Sequence, residues 1–526
     1  MSEAGKKGLG TGQIGLISAA VIGISCIAPA YTLSGALGPT ASEVGNHLPA
    51  VLLSGFVPML LVAVGYRELN ASMPDSGTAF TWATRAFGPL VGWLGGWGLL
   101  AATILVLSNL AGIAVDFFYL LISQIVHKPE IADLAKNVPI NVLTCLVFIV
   151  IAAMISYRGL DTTKSVQYVL VGFQIVVLLI FSGMALWKAN NGQAFDATPF
   201  SWEWLNPFGV ESFSAFSAGI ALSVFIYWGW DVVLTMSEET EGASHTPGKA
   251  ATLTIFVIVG LYQIIGISLV RFSGTGSGEY GLGNEAIQEN IFANLAGPIM
   301  GPLAILMSIA VLGSSAASLQ STFISPARTM LAMGYYGALP KKFASISPKF
   351  QSPGFATIVS AVVAFGFYAV MRVVSEAVLW DTITALGMMV CFYYGVTAFA
   401  CVWYFRKEWF SNWKSVFSKL LFPLVGGILL IIFFLQTSID AMDPDYGSGS
   451  SFFGVGLVFV IGVVILLAGM VTMGLTWWRS PDFFRGNRLT KGLPSDPIVG
   501  VDQALEDELK EEFLVDSPGQ VGQPAR

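Results

Sequence analysis

Few residues in this chain have side chains suited to chemistry, and they sit in unusual places. Asp231 lies inside an apolar run, Phe225-Ile226-Tyr227-Trp228-Gly229-Trp230-Asp231-Val232. A carboxylate at mid-membrane costs about 2.5–3.5 kcal/mol on insertion scales, so it marks a functional site or a hydrogen-bond acceptor that holds an interrupted helix. Gly229, two residues earlier, is a weak point in any helix. Pro29 lies in the middle of a second long apolar run, Ile14 to Leu37. It has no backbone donor and clashes with the carbonyl four residues back. Ala28, before it, is turned away from helical angles. An unsatisfied carbonyl in hydrocarbon is costly, so the break is either a packed proline kink or the lining of a cavity or binding site. Asn109 is a polar residue in a third apolar run, placed to face a cavity or to bond another helix. Asp116, further along the same run, is expected in a vestibule nearer the outer surface.

Other chemistries lack their residues. No span holds paired catalytic carboxylates, and there is no nucleophile elbow. The three histidines are never within five residues of a cysteine or of one another, which removes support for zinc. Cys26, Cys145, Cys391 and Cys401 all fall in apolar spans, where a free thiol acts as a small packing residue. Gly276-Ser277-Gly278-Glu279-Tyr280-Gly281 formally matches a nucleotide fingerprint, but no strand precedes it and no βαβ unit surrounds it. An enzyme, a cofactor, a resident metal and a nucleic-acid partner are therefore not expected.

The elements that must position these residues are membrane helices. The chain of 526 residues is 54% hydrophobic and 11% charged, against roughly 25% charged in soluble proteins. Its mean hydropathy is +0.71. Runs long enough to cross a bilayer recur along the whole length. Twelve spans are expected, at about 14–37, 48–66, 89–122, 138–157, 165–187, 213–237, 250–271, 298–336, 353–372, 377–405, 416–436 and 452–478. The first run is too long for a cleavable signal peptide and has no A-x-A end.

Placing the N-terminus in the cytoplasm puts 21 of the 26 Lys and Arg inside and 5 outside, which favours two cytoplasmic termini. The outer loops are acidic instead. The loop from Ser273 to Pro298 is helix-forming over Asn284 to Leu295 and is placed to cap an outer vestibule. The tail after Arg479 is polar, with an acidic stretch of helical spacing at Asp502 to Glu512. The expected organisation is a cytoplasmic N-terminus (1–13), a ten-helix core (14–405), two further helices (416–478) and a cytoplasmic tail (479–526).

The two breaks are five spans apart. Spans one to five and six to ten then form two repeats, about 14–187 and 213–405, each opening with a disrupted helix. Because five is odd, the repeats are inverted in the membrane, as in alternating-access carriers.

Four motifs support this frame. The first is Tyr66-Arg67-Glu68-Leu69-Asn70-Ala71-Ser72-Met73-Pro74-Asp75-Ser76-Gly77, continuing through Arg85-Ala86-Phe87-Gly88-Pro89 to Gly92-Trp93 and Gly96-Trp97. The second is the aromatic-rich stretch from Phe225 to Glu239. The third is Pro326 to Gly334, with Gly337-Ala338-Leu339-Pro340 and Pro353. The fourth is Tyr157-Arg158-Gly159-Leu160. Through them the chain resembles the amino acid–polyamine–organocation permeases, over about residues 14–405.

The resemblance implies an all-α polytopic membrane protein of the LeuT type, a 5+5 inverted repeat with broken helices one and six. It implies a permease of the plasma membrane, in a bacterium the inner membrane, with lipids around it and no obligate protein partner. The substrate is expected to be an amino acid or related small amine, held between the two breaks by Ser25, Cys26, Ile27, Ala28, Pro29, Ala30 and Tyr31 and by Tyr227, Trp228, Gly229, Trp230 and Asp231, with Asn109 nearby. Free N–H groups at a half-helix N-terminus suit a carboxylate, and freed carbonyls suit an ammonium. Trp228 and Trp230 either stack on substrate or pack; Phe225 is the candidate occluding aromatic.

Two departures from the family pattern matter. Pro29 stands in the first break where relatives offer an N–H, so a carboxylate is held differently or the substrate lacks one. Gln174 stands where some proton-coupled relatives carry a lysine, and it cannot cycle a proton. Coupling is expected through H+ at Asp231, or through Na+ at carbonyls near Ser25 with hydroxyls of Ser314 or Ser315; exchange is a further alternative.

Overall fold

The computed structural model of the protein describes residues 7–159, 164–374, 378–446 and 448–494. Leu160 and the acidic stretch Asp502 to Glu512 lie outside these residues. In chain order the first helices are α1 (Leu16–Ile27), α2 (Pro29–Val44), α3 (Leu48–Ser72), α4 (Ala79–Phe87), α5 (Pro89–Val126), α6 (Val138–Tyr157) and α7 (Lys164–Asn190). Then come α8 (Phe213–Tyr227), α9 (Val232–Thr235), α10 (Thr246–Ser273), α11 (Ile291–Met300), α12 (Ala304–Thr322), α13 (Ile324–Tyr335), α14 (Gly354–Val374) and α15 (Val378–Tyr404). The chain finishes with α16 (Trp413–Ser415), α17 (Phe422–Asp440), α18 (Leu457–Arg479) and α19 (Pro481–Phe484). A short antiparallel hairpin, β1 (Ser451–Phe452) with β2 (Val455–Gly456), leads into α18.

Local chemistry sets most boundaries. Pro29 and Pro89 occupy first-turn positions of α2 and α5, where a missing N–H costs nothing. Ser212 and Asn137 cap α8 and α6 by accepting from the Ala215 and Ile140 amides. The helix expected at Asn284 to Leu295 lies instead at Ile291–Met300. Asn284 is spent on a turn, its Nδ2 donating to the Gly278 and Glu279 carbonyls at 3.1 Å. The eighth span, expected from 298, starts at Ala304, because Gly301 turns the chain at φ 58°.

Among the described residues ten helical runs are long and apolar enough to cross a membrane. Two of them, Leu16–Ser72 and Ile291–Tyr335, join several helices, while α8 is a shorter apolar helix. Leu143, Val147, Ile151 and Met154 form one exposed apolar face on α6, the pattern of a helix that meets hydrocarbon. Inside the bundle α1 lies against α10 and α12, α2 against α8, and α5 against α12 and α15. Small residues permit this closeness: a Cβ at Gly387 of α15 would sit 2.5 Å from the Ala221 carbonyl oxygen of α8.

Candidate functional site at two helix breaks

The first apolar helix is interrupted at Ala28, which is left-handed at φ 54°, ψ 64°. That conformation costs a non-glycine residue roughly 1–2 kcal/mol, so neighbours must hold it. They do so through polar groups of α7 and α12. Ser318 donates to the Cys26 carbonyl at 2.8 Å, and Thr322 lies 3.4 Å from the Cys26 sulfur. Ser25 donates to Gln167 Oε1 in a short hydrogen bond and sits 3.4 Å from the Ser321 hydroxyl. The Gln167 amide in turn donates to the Ala317 carbonyl at 3.1 Å. On the other side of the break, the Ala30 N–H donates to Gln174 Oε1 at 3.4 Å. Pro29 offers no N–H, so Gln174 engages the first amide that α2 presents. Gln174 Nε2 is buried with no hydrogen-bond partner.

The second break runs from Trp228 to Asp231. Trp228 is extended at φ −65°, ψ 143°, and Gly229 takes φ 118°. A Cβ at Gly229 would lie 3.0 Å from both the Cys26 carbonyl carbon and the Ile27 nitrogen. The two breaks therefore meet backbone to backbone, and only glycine permits it. Asp231 is buried and accepts from Tyr394 at 2.8 Å and Tyr393 at 3.0 Å, both on α15. Trp228 Nε1 donates to the Tyr393 hydroxyl at 2.6 Å. None of the ion pairs among the described residues involves Asp231. Tyr262 of α10 ties the breaks together: its hydroxyl donates to the Ile226 carbonyl and lies 2.8 Å from that of Thr32.

The aromatic residues divide. The Phe225 ring meets that of Tyr31 edge-on at 6.3 Å, bridging α8 and α2. Trp230 packs 5.1 Å from the rings of Tyr66 and Tyr394. Tyr227 packs 5.3 Å from Tyr262. Asn109 is engaged between helices, accepting from Thr382 of α15 at 2.8 Å. Ser314 and Ser315 are buried with unpartnered hydroxyls. The hydroxyls at the first break are instead those of Ser318, Ser321 and Thr322, one to two turns further along α12.

Gln167, Tyr262, Ser318, Tyr393 and Tyr394 were not singled out from the sequence. A signal existed for Gln167, a polar residue seven before Gln174 and so on the same helical face.

One end of the bundle is closed by charge. Lys7 is buried and binds Asp75 at 2.7 Å and Glu238 at 2.6 Å. Asp75 also accepts from Tyr336 at 2.7 Å and Thr81 at 2.7 Å. Burial pulls the Lys7 ammonium down, but Asp75 and Glu238 outweigh it and hold it above its ordinary value. Burial pushes the Asp75 carboxyl up, yet Lys7 and the hydroxyl donors hold it below the usual carboxylate range. Arg328 grips the buried Glu239 with two nitrogens. The N-terminal segment adds Gln13 N–H to the Glu239 carbonyl and Glu241 N–H to the Ile14 carbonyl, at 2.8 and 2.9 Å.

The two buried helix breaks thus meet inside a bundle of helices long and apolar enough to cross a membrane. The amino acid permease family model matches residues 14–466, and the chain belongs to that family, within the amino acid–polyamine–organocation superfamily. It is 22% identical over 425 residues to the low-affinity putrescine importer PlaP of Escherichia coli (strain K12), covering 78% of this chain and 86% of that one. It is 22% identical over 451 residues to the branched-chain amino acid permease BcaP of Lactococcus lactis subsp. cremoris (strain MG1363), covering 83% and 90%. The crystal structure of MhsT in complex with L-phenylalanine shares the fold, with TM-score 0.57 and 16% identity over 81% of this chain and 100% of that chain.

Proposed function

We propose that the protein is a secondary transporter that carries an amino acid or small amine across the plasma membrane, the inner membrane in a bacterium, by alternating access. The observation that carries this is the contact of the two breaks at Gly229 and Cys26, beside the buried carboxylate of Asp231. In this reading Leu16–Ser72 crosses twice, α8 with α9 once and Ile291–Tyr335 once, so the chain crosses twelve times. The first ten crossings are two inverted five-helix repeats, with α1–α2 and α8–α9 as their broken first helices. The bias of Lys and Arg puts the Lys7 end and both termini in the cytoplasm.

Proton coupling through Asp231 is favoured over sodium. The Asp231 carboxylate is buried, accepts from two phenols and can take a proton, while hydroxyls and carbonyls at the first break already hydrogen-bond one another. Two features weigh toward an ammonium-led substrate. Pro29 offers no N–H to a carboxylate, and Gln174 occupies the next one.

Uptake of radiolabelled L-leucine and putrescine into proteoliposomes tests the proposal. Saturable accumulation is expected for at least one; binding without flux would turn the reading to a sensor on the same fold. In Asp231→Asn the dependence of uptake on pH should vanish, and an unchanged pH profile would remove Asp231 from coupling.

A further inference from the structure

A groove of about 630 Å³ runs along the bundle between α14 and α18. Its floor is α5 from Trp93 to Leu105; its walls are α14 from Val359 to Val374 and α18 from Leu457 to Thr472. No residue of either helix break lines it. Val363, Val370 and Val464 line it and are exposed, so it opens toward the hydrocarbon around the bundle. Two tryptophans of the floor set its width. Trp93 Nε1 donates to the Gly469 carbonyl at 3.3 Å and Trp97 Nε1 to the Ile465 carbonyl at 2.9 Å. A Cβ at Gly469 would lie 2.5 Å from Trp97 Cδ1, so α18 approaches α5 through its glycine.

The lining is closed to polar ligands. Its two hydroxyls are returned to their own helices, Ser360 to the Ala356 carbonyl at 2.9 Å and Thr472 to the Ala468 carbonyl at 2.6 Å. No charged side chain lines the groove, and every side-chain donor in it is spent on backbone. Burying an unpaired polar group there is costly, whereas a hydrocarbon chain gains dispersion contact along its whole length. The shape also selects a chain. The rise from Leu457 to Thr472 makes the groove about 22 Å long, against about 15 Å for half of a 30 Å hydrocarbon core. Spread over that length, the volume gives a mean section of about 29 Å², against roughly 80–110 Å² for a helix 10–12 Å across.

Charge marks where the chain enters. Phe343 lines the groove at the Lys7 end; its ring meets that of Phe355 at 5.0 Å, and the Lys342 ammonium lies 4.5 Å from the same Phe355 ring. Arg479 follows Thr472 on α18 at a spacing of seven and so on the same face, with Trp477 and Trp478 beside it. Tryptophan is enriched where a helix leaves the membrane. Lys342 and Arg479 are exposed, and neither joins an ion pair among the described residues.

We propose that this groove binds an acyl chain of an anionic phospholipid, whose phosphate is met by Lys342 and Arg479. An ammonium and a guanidinium both donate to phosphate oxygens. A zwitterionic lipid brings the same phosphate but sets its own cation beside these two, so the anionic headgroup is preferred. Met330 and Met333 of α13 also line the groove, and α13 carries the Arg328 that grips Glu239. The bound chain therefore supports the helix that closes the Lys7 end.

The full chain, delipidated in neutral detergent, is titrated with dioleoyl-phosphatidylglycerol or dioleoyl-phosphatidylcholine and read by thermal unfolding and native mass spectrometry. Phosphatidylglycerol should raise the melting temperature saturably and be retained as an adduct at lower concentration than phosphatidylcholine. Lys342→Gln combined with Arg479→Gln should weaken the apparent affinity for phosphatidylglycerol by roughly tenfold or more, about 1.4 kcal/mol, and leave phosphatidylcholine unchanged. Ala468→Phe and Val464→Trp, each at an exposed lining position, fill the groove and should remove the adduct of both lipids. Their melting temperatures without lipid show that the groove, rather than the fold, was altered, and either variant alone suffices. Glycerol 3-phosphate by itself should give no shift; a shift as large as the lipid's would overturn the role of the groove. Equal affinity for the two lipids that survives the double substitution would overturn the anionic headgroup. No adduct with either lipid, full retention in the filled variants, or an oligomer that those variants dissociate would overturn the acyl-chain site.

Discussion

At the scale of single residues, the site depends on Gly229 more than on any side chain. Its φ of 118° is hostile to an L side chain, and a Cβ there would press on the Cys26–Ile27 peptide at 3.0 Å. Gly229→Ala should cost about 1–3 kcal/mol of stability from backbone strain. It should also separate the breaks, cutting uptake by roughly tenfold or more, which corresponds to about 1.4 kcal/mol of barrier. Thermal unfolding in detergent and proteoliposome uptake measure the two effects. A variant with both values near wild type would mean that the breaks need not touch. Asp231 shows the opposite dependence. Its two phenol donors hold it in place, and those donors are contributed by another helix.

At the scale of elements, two segments outside the bundle core close the Lys7 end. The first is the N-terminal segment that carries Lys7. Removing one member of a buried ion pair leaves an uncompensated charge, at a cost of about 3–5 kcal/mol. Lys7→Gln should therefore lower the melting temperature most near neutral pH. The sign follows from the directions of the two shifts. The depressed Asp75 contributes stability above the ordinary carboxylate value, about 3.9, and that contribution is lost as pH falls through its folded value. The raised Lys7 contributes below the ordinary lysine value and is lost as pH rises beyond its folded one. The gap between wild type and Lys7→Gln should therefore narrow toward acid as Asp75 protonates; a gap that widens there would contradict the pairing.

The second segment is Pro481–Leu493. Buried Phe483 stacks on Phe80 at 5.4 Å, and Arg85 of α4 donates to the Thr490 and Leu493 carbonyls at 2.7 and 3.1 Å. Hydrogen bonds from a charged donor contribute about 1.5–3 kcal/mol. Arg85→Gln should expose Arg488 and Lys491 to trypsin and speed cleavage there. Equal cleavage rates would show that Arg85 does not hold the segment.

At the scale of the whole molecule, hydrogen bonds around the first break join α1, α7 and α12. With Asp231 as the proton carrier, uptake should be insensitive to replacing sodium by choline at constant pH and should respond to a proton gradient. A steep sodium dependence would overturn proton coupling.

The helical membrane class, the places of both breaks and the oddity of Asp231 were legible in the sequence, because each follows from local physics. Proline cannot donate, glycine tolerates positive φ, and a carboxylate is costly in hydrocarbon whatever surrounds it. Partners were not legible. Helical spacing tells which residues share a face but not which helix that face meets, nor at what depth. Hence Ser318, Ser321 and Thr322, which no sequence pattern marks out, stand at the break, and Asn109 bonds Thr382 between helices. Trp228 and Trp230 looked alike in the chain, yet one donates to Tyr393 and the other packs into α3 and α15, because Gly229, at φ 118°, lies between them. The first break was visible as a missing donor at Pro29. Only the tertiary structure decided that Gln174 takes the next donor, that Gly229 fills the gap, and that Asp231 answers to α15.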